Sequence, residues 1–158
     1  HAVGVGLTFP LTCDIRFVAE DSKLQFAFVR RGIAPELGST KLLSRMVGLQ
    51  AASDLLMSGR FFSGIEAAKI GLAARAVPSS DVLDVALDWA RDVAMNTAPV
   101  SVAVTKRMMW ENLRPEIDDT FQQELRLIPW LGGQRPFAPV LAKYCRPGPV
   151  CQGRAAQG

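Results

Sequence analysis

The stretch Ala2-Val3-Gly4-Val5-Gly6-Leu7-Thr8 joins the end of an apolar strand to the start of an apolar helix through two glycines. Glycines at such a junction let a ligand or another backbone approach closely, and the free amides of the first helical turn stabilise a negative oxygen. The same glycines are also typical of close packing between a strand and a helix. A dinucleotide-binding fingerprint is a poor match, because Phe9 stands where GxGxxG requires its third glycine. An oxyanion-binding turn and a packing role therefore both remain open from these residues alone.

The composition is that of an ordinary globular domain of 158 residues, of which 49% are hydrophobic and 21% are charged. The net charge of +3 is too small to indicate nucleic acid as a partner. No apolar run approaches the roughly 18 residues that a membrane span requires, and residues 1–9 lack the features of a signal peptide. We therefore expect a cytoplasmic protein that binds neither nucleic acid nor a membrane.

The rare residue types exclude several kinds of catalytic site. The single histidine is His1, which excludes an internal Ser-His-Asp or Cys-His unit and a multi-histidine zinc site within this chain. Cys13, Cys145 and Cys151 contain no CxxC pair and are interpreted as reduced thiols rather than a disulfide framework. Carboxylates, hydroxyls and backbone amides remain as the groups available for chemistry, and no metal is expected.

A second candidate site lies in the loop Gly32-Ile33-Ala34-Pro35-Glu36-Leu37-Gly38-Ser39-Thr40. Its glutamate stands among apolar neighbours in a loop rich in proline and glycine, directly before a predicted helix and near the positive end of that helix. A carboxylate held in this way is a candidate general base. A solvated glutamate that simply favours the helix dipole would give the same pattern, and that alternative stays open.

Alternation of polar and apolar residues predicts strands in the first half of the chain, with helices between them where the apolar spacing becomes helical. Gly48 is expected to end one helix before the next begins, and Ser63 and Glu66 form a capping box. The predicted strands are 14–19, 23–28 and 72–77, and the predicted helices are 7–13, 39–47, 50–57 and 63–70.

The second half of the chain is predicted to be helical. The helix over 81–95 is clearly amphipathic, and its apolar stripe consists of Val82, Val85, Ala86, Trp89 and Val93. Prolines open the helices predicted over 99–113 and 115–128. Residues 131–158 show no periodicity and contain several prolines and glycines, which predicts a loose or disordered tail.

Several motifs follow one another in a fixed order along residues 1–125. They are the stretch 2–8, Cys13-Asp14-Ile15-Arg16, Ala19-Glu20-Asp21-Ser22-Lys23-Leu24-Gln25-Phe26, Arg30-Arg31-Gly32-Ile33-Ala34-Pro35-Glu36, Val47-Gly48-Leu49, and Ser58-Gly59-Arg60-Phe61-Phe62-Ser63 with Glu66-Ala67 and Gly71-Leu72. Together they resemble the enoyl-CoA hydratase/isomerase (crotonase) family, and most closely its Δ3-Δ2-enoyl-CoA isomerase-like branch.

The resemblance implies an α/β, crotonase-like (ClpP/crotonase) fold, in which a spiral of ββα units is followed by a C-terminal helical region. Residues 1–80 would form the C-terminal part of the crotonase-like core, and residues 81–130 would form a helical oligomerisation region. The N-terminal part of the usual domain is then expected to be missing ahead of His1. Family members usually trimerise through the region that corresponds to 99–128, so we expect a homo-oligomer, either a trimer or a dimer of trimers.

In this family two backbone amides polarise a thioester carbonyl and stabilise the enolate that develops from it. The resemblance assigns one of these amides to Val5, supported by Gly4 and Gly6, and places the other upstream of His1. The implied substrate is an acyl-CoA thioester. Coenzyme A is part of that substrate, and no separate metal or redox cofactor is implied.

The departures from the family pattern bear on which reaction is catalysed. Hydratases of this family place two glutamates at positions that hold Thr8 and Phe28 here, and neither side chain is a useful proton acceptor. Glu36 falls instead at the position that resembles the base of the isomerase branch, where one carboxylate moves a proton from C2 to C4. Isomerisation or hydration of an unsaturated acyl-CoA is expected, with isomerisation favoured. A non-catalytic CoA-binding or oligomer-forming remnant, and a crotonase-fold hydrolase or decarboxylase, remain as alternatives.

Overall fold

The computed structural model describes residues 1–111, 113, 122 and 125. Its strands are β1 (Ala2–Val3), β2 (Phe17–Ala19), β3 (Leu24–Gln25), β4 (Phe61–Phe62) and β5 (Arg75–Val77). Its α-helices are α1 (Val5–Thr8), α2 (Ser39–Ser58), α3 (Gly64–Lys69), α4 (Val82–Asn96) and α5 (Pro99–Glu111). Short 3₁₀ helices cover Phe9–Thr12 and Val29–Arg31.

The strands form two small sheets. In the first sheet β3 lies in the centre, parallel to β1 and antiparallel to β4, with Val3 opposite Gln25. In the second sheet β2 pairs in parallel with β5. Parallel strands end at the same edge of a sheet. The turn that follows β1 and the segment that follows β3 therefore start from neighbouring positions.

The core lies between the first sheet, α1 and α2. Leu11, Phe26, Leu43 and Leu55 are the largest apolar side chains that are fully buried. The Phe26 ring is stacked on Phe62 with 6.0 Å between the ring centroids. This cluster ties the central strand of the sheet to the helix that follows the 29–38 loop, and it thereby holds both ends of that loop.

The strand predicted over 14–19 is wrong in its first three residues, because β2 begins only at Phe17. The backbone carbonyl of Arg16 still accepts from the Ala74 amide at 2.8 Å, and its side chain makes two further bonds. Its guanidinium donates to the backbone carbonyls of Leu72 and Cys13, each at 2.7 Å. The carbonyls of Leu72 and Cys13 are thus satisfied by a side chain and not by a neighbouring strand. Beyond the strand itself, backbone pairing therefore reaches Arg16 but not residues 14 and 15.

The strands predicted over 23–28 and 72–77 are also too long. β3 pairs with β1 and with β4 only through Leu24 and Gln25. The amides of Leu72 and Ala73 both donate to the carbonyl of Ala67, at 2.9 Å and 3.1 Å. Those bonds hold the two residues in the turn after α3 and delay the start of β5.

The helix boundaries follow the predicted signals more closely. The helices predicted on either side of Gly48 are confirmed, because α2 is broken there by a φ of 77° and a ψ of 159°. The helix predicted over 7–13 divides into α1 and a 3₁₀ helix, in whose first turn lies Pro10. Proline has no amide hydrogen and cannot continue the α-helical bonding pattern.

The N-terminus of α3 is capped as predicted, since the Ser63 hydroxyl accepts from the Glu66 amide at 3.1 Å. The returning half of the capping box differs from the prediction. The Glu66 carboxylate accepts from the Arg60 guanidinium, which also donates to Asp54. Arg60 thereby connects the end of α2 to the start of α3.

The predicted apolar face of α4 is confirmed, because Val82, Val85, Ala86 and Val93 are half-buried while most of the helix is exposed. Trp89 contacts Phe17 of β2, with 6.4 Å between the ring centroids.

The helix predicted over 99–113 is confirmed as α5. The helix predicted over 115–128 and the predicted tail over 131–158 lie outside the described residues, apart from Gln122 and Leu125, which are helical. None of the helices in the described part of the chain has both the length and the apolar character needed to cross a membrane.

Candidate functional site

The turn between β1 and α1 has a backbone conformation that only glycine adopts readily. Gly4 has a φ of 58° and a ψ of −124°, a region closed to residues that carry a Cβ atom. Its amide donates to the carbonyl of Gln25 at 3.0 Å, and its carbonyl accepts from the amides of Leu7 and Thr8. These bonds fix the direction in which the first turn of α1 starts.

The Val5 amide is the first amide of α1 and has no hydrogen-bond acceptor within the described residues. A donor at this position has no partner within its own helix, and the Val5 side chain is exposed. The predicted geometry, a strand that leads through a tight turn directly into a helix and leaves this amide unpaired, is confirmed, although the helix begins at Val5 and not at Leu7. The role of the amide in binding an oxyanion stays a prediction.

Close packing does not explain the two glycines of this turn. A Cβ atom built at Gly4 or at Gly6 would meet no atom of the described residues within 4 Å. Gly4 is required by its positive φ, whereas Gly6 keeps the surface of the first helical turn uncovered. The packing alternative for this stretch is therefore not supported by the contacts of the described chain.

Glu36 lies half-buried in the loop before α2, and its carbonyl accepts from the Ser39 amide at 3.1 Å. The two residues inside this turn, Leu37 and Gly38, have φ values of 57° and 65°. The positive φ of Leu37 is the feature of the site that sequence analysis missed. The glycine that follows Leu37, between a proline and the start of a helix, indicates a tight turn. It does not indicate that the leucine itself has a left-handed backbone.

The structure brings Val5 and Glu36 to the same pocket, which has a volume of about 250 Å³. The β1–α1 turn provides one wall and the segment after β3 provides the other. Six of the residues that line it are Gly4, Val5, Phe28, Arg31, Ile33 and Glu36. Val5, with its unpaired amide, and Glu36 thus line one small, largely apolar pocket. An amide donor can bind a carbonyl oxygen and a carboxylate can move a proton.

The two positions where hydratases of this family are expected to carry glutamates are occupied by groups that do not transfer protons. Thr8 is fully buried, and its hydroxyl donates to the carbonyl of Val5 at 3.4 Å. Phe28 is buried and is one of the residues that line the pocket. Glu36 is therefore the carboxylate among the residues that line this pocket.

Two other polar side chains, those of Arg30 and Trp110, do not line this pocket and make structural contacts. Arg30 donates to the carbonyl of Ser58 at 2.8 Å and so joins the 29–38 loop to the end of α2. The indole of Trp110 donates to Asp14 at 2.9 Å. Among the described residues, no group of three or more histidine, cysteine, aspartate or glutamate side chains is placed to hold a metal ion.

A second cavity, of about 350 Å³, lies between α4, α1 and the second sheet. Its walls are mainly apolar, and they include Leu7, Phe17, Leu72, Val82 and Ala86. Arg16 also reaches this cavity, but its guanidinium is bonded to backbone carbonyls. This cavity does not include Val5 or Glu36.

Comparison with known proteins agrees with the motif order and the fold. Residues 1–134 match the family described as enoyl-CoA hydratase/isomerase. The enoyl-CoA hydratase ACTT3 of Alternaria alternata is 39% identical over 114 residues, which cover 72% of this chain and 38% of that protein. The short-chain-enoyl-CoA hydratase of Clostridium acetobutylicum is 32% identical over 117 residues, which cover 74% of this chain and 44% of that protein.

Solved structures give the same result. Pseudomonas aeruginosa OdaA superposes with a TM-score of 0.84 at 35% identity, over 92% of this chain and 59% of that one. An enoyl-CoA hydratase/isomerase from Pseudoalteromonas atlantica T6c also gives 0.84, at 29% identity, over 90% of this chain and 57% of that one. The chain spans less than half the length of the curated relatives named above. With its crotonase-like fold and a match that extends over residues 1–134, the chain belongs to the enoyl-CoA hydratase/isomerase family.

Proposed function

We propose that the protein shifts the double bond of an unsaturated acyl-CoA thioester through an enolate stabilised at the Val5 amide, with Glu36 as the base. The observation that carries this proposal is the shared pocket of about 250 Å³, which is lined both by Val5, whose amide is unpaired, and by Glu36. The family match supports an acyl-CoA thioester as the substrate.

The proposed reaction moves one proton within the substrate and uses one carboxylate to carry it. The thioester oxygen accepts a hydrogen bond from the Val5 amide, which stabilises the negative charge that develops when C2 loses a proton. Glu36 takes that proton, the double bond moves from C3–C4 to C2–C3, and the carboxyl group returns the proton to C4. No water, metal or redox cofactor takes part, and coenzyme A belongs to the substrate.

Hydration of a 2-enoyl-CoA is the second candidate, because relatives at 39% and 32% identity are named as hydratases. Addition of water needs a group that activates the water and a group that protonates the carbon skeleton. Thr8 and Phe28 offer neither, so Glu36 would have to serve alone. The pocket supports isomerisation better for this reason.

The deciding experiment compares the intact wild-type protein with Glu36→Gln, using a 3-enoyl-CoA as substrate and recording the conjugated 2-enoyl product. Loss of the proton acceptor should lower the rate by about two to four orders of magnitude, the range for removal of general acid–base catalysis. Glu20→Gln is the matched control. Its side chain is exposed and lies outside the pocket, so this variant should keep the wild-type rate.

Each other outcome of this experiment contradicts a defined part of the proposal. A Glu36→Gln rate within a few-fold of wild type would remove Glu36 from the mechanism. Vigorous hydration of a 2-enoyl-CoA by the wild type would contradict the preference for isomerisation. If the folded, intact protein shows neither activity, a non-catalytic CoA-binding or oligomer-forming role replaces the enzymatic one.

We also propose that α5 is covered by another copy of the chain, in a trimer or a dimer of trimers. Val100, Met108 and Met109 are 76%, 58% and 62% exposed, and apolar surface of this kind marks an interaction site. Sedimentation velocity should give the mass of an oligomer, and Met108→Glu with Met109→Glu should shift it toward the monomer. A monomeric wild-type protein would contradict this part of the proposal.

A further inference from the structure

The loop that carries Glu36 contains a tight turn with an unusual residue in it. The Glu36 carbonyl accepts from the Ser39 amide at 3.1 Å, and both residues between them have positive φ values, 57° at Leu37 and 65° at Gly38. Two positive φ values inside a bonded four-residue turn are the pattern of a type I′ turn. Such turns favour asparagine, aspartate or glycine at the first central position, and here that position holds a leucine.

Leu37 is the only residue other than glycine with a positive φ in the described part of the chain. A left-handed conformation brings the Cβ atom of an ordinary residue close to the backbone. Residues held in such conformations cluster at active sites, where the surrounding structure fixes them. Leu37 directly follows Glu36, the candidate base, so its conformation bears on the position of that base.

Core packing does not account for the leucine. Its side chain is half-buried, and it belongs neither to the buried core cluster nor to the partly buried apolar residues packed against that cluster among the described residues. Ile33, in the same loop, does pack against the core. The turn itself, rather than a contact made by the Leu37 side chain, is the feature to be explained.

The turn is held firmly at both ends. Pro35 precedes Glu36 and has a φ fixed by its ring, and Ser39 follows the turn as a fully buried residue at the start of α2. Residues 36–38 therefore connect two residues, Pro35 and Ser39, whose positions are fixed. If Leu37 leaves the left-handed region, the peptide between Glu36 and Leu37 has to rotate, and the side chain of Glu36 changes its direction with it.

We propose that Leu37 is a positioning residue whose left-handed backbone aims the Glu36 carboxylate at the pocket shared with Val5. This inference rests on the proposed function, because it gives Glu36 the role of base. A displacement of about 1 Å in a catalytic group is enough to lower a rate about 100-fold. The conformation of one turn residue is thus expected to control the rate of proton transfer without contact with the substrate.

The test uses substitutions that separate backbone conformation from side-chain packing. Asparagine is polar but tolerates a positive φ, whereas valine is apolar but, being β-branched, adopts such a φ very rarely. The inference predicts that kcat with a 3-enoyl-CoA falls about 10- to 100-fold in Leu37→Val relative to Leu37→Asn, while KM changes little. A packing role for the side chain predicts the opposite order, so equal rates or a faster Leu37→Val would overturn the inference.

Two further measurements keep the result interpretable if Leu37→Val folds poorly. Leu37→Ala is apolar and less disruptive than valine, and its kcat should also fall below that of Leu37→Asn. Gly71→Ala is the matched stability control, because Gly71 has a φ of 83° and lies outside the pocket. It places a residue with a Cβ atom at another positive φ, and its kcat should stay at the wild-type value. A kcat for Gly71→Ala as low as that of Leu37→Val would assign the loss to general destabilisation and overturn the inference.

A double-variant comparison distinguishes this inference from the proposed function. In the Glu36→Gln background, Leu37→Val should cause no further loss of kcat, because it acts through a carboxylate that is already absent. A further loss as large as in the wild-type background would overturn the positioning role and leave Glu36 as the base. Full activity of Glu36→Gln itself would instead refute the proposed function.

Discussion

Replacement of Gly64 by alanine is the change for which the structure gives the clearest physical consequence. Gly64 is buried at the start of α3, and a Cβ atom built there would lie 1.9 Å from the carbonyl oxygen of Ala19 and 2.8 Å from its carbonyl carbon. Ordinary contacts between carbon and a carbonyl oxygen are about 3.3–3.6 Å. Helix and strand would therefore have to separate by more than about 1 Å.

The atoms that the new Cβ would meet belong to the backbone of Ala19, which cannot shift easily. Ala19 is paired with Val77 in the second sheet, so its carbonyl cannot rotate away as the end of a flexible side chain would. Overpacking of a filled site costs about 1–3 kcal/mol, and a fixed backbone atom favours the upper end of that range. Movement of α3 also weakens the Ser63 cap, which is worth about 1 kcal/mol.

An opposing effect has to be subtracted. Alanine is a better helix former than glycine by about 1 kcal/mol in a helix interior, and less than this gain is expected at a first helical position. The net loss in the free energy of unfolding for Gly64→Ala is therefore expected to be about 3 kcal/mol, the sum of the overpacking and cap losses less the helix-propensity gain.

Urea denaturation followed by far-ultraviolet circular dichroism measures this loss, provided that the transition is two-state. Gly6→Ala is the matched control, since Gly6 is also helical and its Cβ would meet no described atom within 4 Å. It should be neutral or slightly stabilising. A Gly64→Ala protein within about 0.5 kcal/mol of wild type, the ordinary range for surface changes, would refute the close-contact argument.

Three further changes have defined outcomes. Gly59→Ala should lower the free energy of unfolding by about 1–2 kcal/mol in urea titrations. Gly59 ends α2 with a φ of 56°, and a Cβ atom there would lie 3.1–3.2 Å from atoms of residues 26–30. An unchanged urea midpoint would contradict this prediction. Leu43→Ala removes a fully buried side chain and should cost about 2–5 kcal/mol in the same assay; a cost below about 1 kcal/mol would show that Leu43 is not a packed core residue. Hydrogen bonds from Lys106 and then Trp110 lower the pKa of Asp14 in the folded protein. The ionised Asp14 therefore stabilises α5 fully above the ordinary aspartate pKa of about 3.9. This stabilisation is lost as the pH falls through the lowered pKa of the folded protein. Hydrogen exchange of α5 should accelerate in Asp14→Asn at neutral pH, and equal exchange in the two proteins would contradict the tether.

The sequence by itself determined the features whose causes are local. The break at Gly48 and the serine cap of α3 each depend on residues within one helical turn, and the apolar face of α4 depends on the spacing of residues along that one helix. A glycine that ends a helix, a hydroxyl beside a free amide and a 3.6-residue apolar period have the same effect in most surroundings. The ordered motifs also indicated the family, because they combine many such local requirements along one chain.

The lengths of the strands were decided by tertiary contacts. The Arg16 side chain donates to the carbonyl of Leu72, 56 residues away, so this carbonyl is satisfied without a strand partner. The pairing of β2 with β5 begins beside it, where the Arg16 carbonyl accepts from the Ala74 amide. Alternation in the sequence shows which residues suit a strand, but the extent of a strand depends on the partner available beside it. The partners β1 and β4 are two residues long, and so is the ladder of β3.

The sequence likewise predicted the residues of the site but not their arrangement. Gly4, Val5 and Glu36 stand out individually as residues suited to an oxyanion turn and to proton transfer, yet nothing in their spacing places them around one pocket. Parallel pairing of β1 with β3 does so, because it starts the two segments that carry them from the same edge of the sheet. The left-handed backbone of Leu37 was likewise not predictable from the sequence, since the local preference of leucine opposes that conformation.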